Sequence, residues 1–214
     1  VAPTVAPTAA PTKAPTVAPT AAPTKAPTVA PTPRPTVAPT ITPTPGCQIA
    51  LGDEFAALLE AQPTLGEELG CATQARQPRD LAEQPFQRGA MLWVQGPQGG
   101  NGLIYVIEGA PKAGTAGTWE SYEDTWQAGD PEDSGDETPP DGLIEPIRGF
   151  GRVWYSNPAL ADALGWASAA ERASTGAMQR FPNARLVFSP LGFGDGPAIY
   201  ALYENGTFEV YAGQ

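Results

Sequence analysis

From Val1 to Thr44 the chain reads as eleven tetrads, with proline third and threonine fourth in every one, and this spacing decides what the segment can fold into. Proline fixes φ near −65° and drives the residue before it towards extended geometry. Helix is therefore closed to the segment, and polyproline II is the regular form that remains. At about 3.1 Å per residue, the eleven tetrads would span roughly 136 Å. No aromatic residue occurs before position 47, so the segment has nothing with which to build a core of its own.

A second period overlies the first, because VAPTAAPTKAPT from Val5 to Thr16 is repeated letter for letter from Val17 to Thr28. Polyproline II has three residues per turn, so a four-residue repeat turns successive threonines by about 120° and returns to the same face after twelve residues. Thr4, Thr8 and Thr12 thus point in three directions, a layout that suits bulky substituents. Threonine-rich tracts with proline carry the composition of O-glycosylated stalks.

Charge is divided just as unevenly. Residues 1–45 hold 13 of the 26 prolines, with Lys13, Lys25, Arg34 and no acid, so they carry +3 while the remainder carries −14. An acidic surface of that size repels a phosphate backbone and argues against a nucleic-acid partner. The chain has no histidine, which excludes the Ser-His-Asp and Cys-His arrangements and His-containing metal sites. No enzymatic activity is expected. No apolar run approaches the length of about 20 residues that crosses a bilayer, so no membrane span is expected. The chain begins at Val1 within the repeat, without Met, and reads as a processed or truncated product of an extracellular or cell-surface protein.

The x-A-P-T array resembles the linear tetrapeptide repeats of extracellular glycofibrils, microbial filaments in which an extended chain is sheathed by sugars. The resemblance implies O-glycans on Thr4, Thr8, Thr12, Thr16, Thr20, Thr24, Thr28, Thr32, Thr36, Thr40 and Thr44. It also implies hydroxylation at Pro3, Pro7, Pro11, Pro15, Pro19, Pro23, Pro27, Pro31, Pro35, Pro39 and Pro43.

Beyond the repeat the chain matches itself at an offset of 95. Phe55 falls on Phe150, Leu69-Gly70 on Leu164-Gly165, Phe86 on Phe181, Trp93 on Phe188, and Ile104-Tyr105 on Ile199-Tyr200. After a six-residue insertion, Thr118-Trp119-Glu120 falls on Thr207-Phe208-Glu209. In each copy a helical period precedes short apolar strand-forming runs, and Asn205-Gly206 marks a hairpin. The predicted fold is α+β: two tandem homologous modules, each a helix plus a small antiparallel sheet, preceded by the extended stalk. The predicted boundaries are a stalk over 1–46, modules over 47–126 and 143–214, and an exposed acidic linker over 127–142. Leu69-Gly70-Cys71-Ala72 and Leu164-Gly165-Trp166-Ala167 are similar to the LGFP-type repeats of bacterial cell-surface proteins, which implies association with the cell envelope.

Cys47 and Cys71, the two cysteines of the chain, are expected to form a disulfide at the stalk root. Trp126 has no counterpart in the second copy and is the candidate for stacking on a ligand. Trp93 and Trp119 fall on phenylalanines and are assigned to the core. Asp130, Asp133 and Asp136, with Glu132 and Glu137, lack the alternating spacing of a calcium loop, so no metal and no other cofactor is expected. Asn205-Gly206-Thr207 fits a glycosylation sequon, but the turn accounts for these residues. The expected function is a structural subunit of an extracellular glycosylated filament, its partners further copies of itself and covalent glycans. The alternative is a stalked envelope protein whose head binds a glycan or peptidoglycan.

Overall fold

The computed structural model describes residues 46–132 and 137–213. The tetrad repeat, with its threonine and proline positions, lies outside the described residues, as do Asp133 and Asp136. Each copy forms two short helices and four strands. The first has α1 (Asp53–Ala61), α2 (Pro63–Leu69), β1 (Gln77–Phe86), β2 (Gly89–Val94), β3 (Leu103–Glu108) and β4 (Ala116–Glu123). The second has α3 (Arg148–Ser156), α4 (Pro158–Leu164), β5 (Arg172–Arg180), β6 (Ala184–Ser189), β7 (Ala198–Tyr203) and β8 (Thr207–Ala212). The single helix expected in each copy is a pair, because Pro63 and Pro158 start a new helix at its first turn. Gly70 and Gly165, at φ +71° and +73°, stop the pairs where an L side chain would be strained.

The two sheets do not stay separate. The strands close into one antiparallel barrel in the order β1-β2-β3-β4-β8-β7-β6-β5, which overturns the expectation of two helix-plus-small-sheet modules. In one seam Asp80 pairs with Thr175, its own counterpart at offset 95, and in the other Thr118 pairs with Thr207, its counterpart after the insertion. A pseudo-twofold axis therefore passes through both seams. Closure removes the unpaired strand edges that two small open sheets would each expose.

Alternation along the strands divides the apolar residues between two sides. Leu81, Leu92, Tyr105, Ile107, Val187, Tyr200, Leu202 and Phe208 fill the barrel interior. The outward set is covered by helices, and these are exchanged between copies. Phe55, Leu58, Leu65 and Leu69 of α1 and α2 pack on Ala177, Leu186, Ile199 and Ala201 of the second copy's strands. Phe150, Val153, Leu160 and Leu164 of α3 and α4 pack on Met91, Ile104 and Val106 of the first. Polar contacts repeat the exchange. Arg88 Nε donates to the Ala163 carbonyl at 2.7 Å and Asn183 Nδ2 to the Glu68 carbonyl at 3.1 Å, each from one copy's strand turn to the other copy's second helix. Neither copy buries its own helices, which is the physical reason that neither forms a module alone.

The Cys47–Cys71 disulfide is present, with Cα atoms 5.3 Å apart. Asn205 Oδ1 accepts from the Thr207 amide at 3.0 Å, fixing the hairpin between β7 and β8.

One interior residue breaks the internal symmetry. Glu83 is fully buried, where its counterpart is the apolar Met178, and it accepts from the Phe193 amide at 2.9 Å. Burial pushes its carboxyl above the ordinary range, opposed by Ser189, Phe193 and Arg172. A carboxyl raised on folding contributes stability that is present below its unfolded pKa, about 4.3, and is lost as pH rises through the folded value. Glu83→Gln is therefore expected to gain melting temperature relative to the parent protein as pH rises from about 4 to 7. Calorimetry across that range checks it, and a difference that stays flat or narrows would refute it.

Candidate functional site

Among the described residues a groove lies outside the barrel, over the seam between β1 and β5. It has a volume of about 560 Å³, within the range of roughly 300–1,000 Å³ common for ligand sites. Its apolar wall is Trp93, Ile104 and Phe150, and Trp126 stands at its edge with Asp80, Asp124, Arg148 and Glu171.

The groove exists because the two copies differ at a few positions. In the first copy Glu54 of α1 pairs with Arg76 at 2.8 Å, occupying the space beside the helix start. At offset 95 these positions are Gly149 and Glu171, so the second copy has no side chain at the first and a charge of opposite sign at the other. A Cβ at Gly149 would come within 2.4 Å of Asp124 Oδ1 and displace that carboxylate. The segment after β4 supplies the remaining wall.

That segment is held in place by α3. Arg152 donates to the Thr125 carbonyl at 2.9 Å and to Asp130 at 2.8 Å, and Arg148 pairs with Glu132 at 2.9 Å. Residues 127–132 carry these contacts while remaining largely exposed. Asp130 and Glu132, read as possible calcium ligands, are engaged by these arginines instead. Among the described residues no group of carboxylates and thiols is placed to hold a metal ion.

The Trp126 amide donates to Asp124 Oδ1 at 3.0 Å and its indole N–H to the Pro131 carbonyl at 3.1 Å, which fixes the ring. The Arg148 guanidinium lies 5.6 Å from the ring centroid. Arg148 also adopts φ +54°, a conformation rare for a side-chain-bearing residue and not repeated at its counterpart Asp53. Trp93 Nε1 and Ser174 Oγ, both in residues lining the groove, are buried without hydrogen-bond partners. Burial pushes the Glu171 carboxyl upward, Arg148 opposes the shift, and Asp124 and Glu132 add to it.

Of the residues singled out in the sequence, Trp126 is in the groove and Trp119 is in the barrel, edge-on to Tyr105 at 5.5 Å. Trp93 is half-buried, packs against the outer apolar cluster and also forms groove wall. Asp80, Asp124, Arg148 and Glu171 were not anticipated as site residues. The signal for two of them was present: Arg148 and Glu171 invert the charges of Asp53 and Arg76 in an otherwise repeated frame. A second hollow contains Trp154 and Trp166, but these rings pack on each other at 4.8 Å and belong to the helix layer.

The fold and groove define a doubled, helix-exchanged antiparallel barrel with an aromatic and acidic external cleft. Comparison with protein-family models, curated proteins and solved structures finds no match to this chain.

Proposed function

We propose that the protein is a structural subunit of an extracellular filament, assembling head to tail, with its tetrad repeat carrying O-linked glycans on threonine. The observation that carries this reading is the covalent root of the head. Cys47, three residues beyond the last tetrad, is bonded to Cys71 at the end of α2. Tension arriving along the repeat passes through that bond into α1 and α2, and from them into the second copy's strands. Such a path loads the barrel as a whole, as a fibre subunit requires.

Charge agrees with self-association, since a segment of +3 precedes a region of −14. A contact between unlike surfaces that does not close on itself generates open fibres. A disulfide fits an oxidising compartment, and no helix among the described residues is long and apolar enough to cross a membrane.

Electron microscopy of the native protein is expected to show linear filaments, and intact mass to exceed 22.2 kDa by a series of sugar increments. Dispersed monomers at native concentration would overturn assembly. A mass matching the bare chain would overturn glycosylation.

A further inference from the structure

We propose that the groove between Trp93 and Trp126 is the receptor for the tetrad repeat of a second copy of this chain, engaged by a lysine-bearing turn of that repeat. This rests on the filament reading and names the surface that would carry it.

Two properties of the groove select this occupant. Its apolar wall of Trp93, Ile104 and Phe150, with Trp126 beside it, offers flat rings to proline, as the aromatic grooves that take polyproline II segments do. Its charged groups are three acids against Arg148, which is already paired with Glu132. A neutral glycan could donate hydrogen bonds to the carboxylates but carries no charge to complement that excess. The repeat, free of acids, contains three cations.

The placement of those cations is the second observation. Positions 13, 25 and 34 differ by twelve and nine residues, both multiples of three. In a helix of three residues per turn they all fall on one face, with spacings of about 37 and 28 Å. A repeat in that form would present a single basic edge along its length. Seven of the eleven tetrad threonines would lie on the other two faces, whereas Thr4, Thr16, Thr28 and Thr40 would share the basic face, so docking requires a turn whose threonine on that face is bare. A turn bearing Lys13 or Lys25 would set its proline and alanine against the tryptophans and its ammonium towards Asp124 and Glu171.

The test uses the full chain, with assembly followed by sedimentation and folding by circular dichroism. Trp126→Ala and Glu171→Lys are each expected to raise the concentration for half-assembly by about tenfold or more, a loss of about 1.4 kcal/mol per tenfold. Exchanging Lys13 with Ala14 and Lys25 with Ala26 keeps composition and net charge but turns each cation by about 120°, and is expected to weaken assembly as strongly. An unmodified peptide of sequence AAPTKAPTVAPT, residues 9–20, is expected to inhibit assembly and quench Trp fluorescence. The same peptide with glutamate for lysine is expected to do neither.

Filaments that form unchanged in both groove variants would overturn the groove and leave the filament reading standing. A parent protein that stays monomeric yet binds the peptide through Trp126 and Glu171 would support the groove and overturn the filament. Unchanged behaviour of the lysine–alanine exchange would reduce the contact to unspecific charge and overturn the docked geometry. Binding of a chito-oligosaccharide that Trp126→Ala abolishes, with no binding of the peptide, would make the groove a glycan site and overturn the proposal.

Discussion

Phe55→Ala is expected to lower the unfolding free energy by about 3–5 kcal/mol, the usual cost of emptying a buried phenylalanine site. Phe55 is fully buried, and the strand residues of its cluster all belong to the other copy. The loss should therefore be felt most in β5, β6 and β7 rather than in β1 to β4. Thermal unfolding is expected to remain a single transition, because each copy's helices cover the other copy's strands. Amide hydrogen exchange locates the effect: faster exchange confined to residues 53–123 would contradict the exchanged packing.

Opening the Cys47–Cys71 bond is the second large effect. The bridge spans 24 residues in sequence, and a loop of that size restricts the unfolded chain by about 3 kcal/mol in the chain-entropy account. For a folded region of this size that corresponds to a fall of roughly 6–12 °C in melting temperature. Calorimetry of the Cys47→Ser, Cys71→Ser double variant checks it, and an unchanged melting temperature would show that the bond constrains nothing. The same variant tests the load path, since single molecules pulled from the repeat should yield at lower force without the bridge.

The offset of 95 was legible because a helix or strand announces itself through neighbours a few residues away. Pro63 and Pro158, Gly70 and Gly165, and the pairs Phe86 and Phe181 or Tyr105 and Tyr200 all occupy matching places in the barrel. The error lay in assigning each helix to the sheet that follows it. The apolar face formed by Phe55, Leu58 and Leu65 would be satisfied by either sheet, and a sequence pattern specifies that a face must be covered without naming the cover.

The groove was less visible for a related reason. Trp126 stood out as an unmatched aromatic, but Trp93 matched Phe188 and so read as core. Its place in the groove wall emerges only when Phe150 and Ser174, distant in sequence, line the same space. Charge inversion at Arg148 and Glu171 was present in the aligned copies, yet it gains meaning only once α3 and the start of β5 are known to border one space.

What is local could be read from neighbouring residues: the tetrad and twelve-residue periods, the spacing of Lys13, Lys25 and Arg34 in multiples of three, the doubled order of helices and strands, and the cysteine pair. Tertiary structure decided that the two copies share one barrel, exchange their helices, and leave a cleft where their symmetry fails. The reason is physical. Backbone dihedrals and side-chain periodicity are set within a turn or two of chain, whereas closure and burial depend on which distant surfaces meet, and several pairings satisfy the same pattern until close packing selects one.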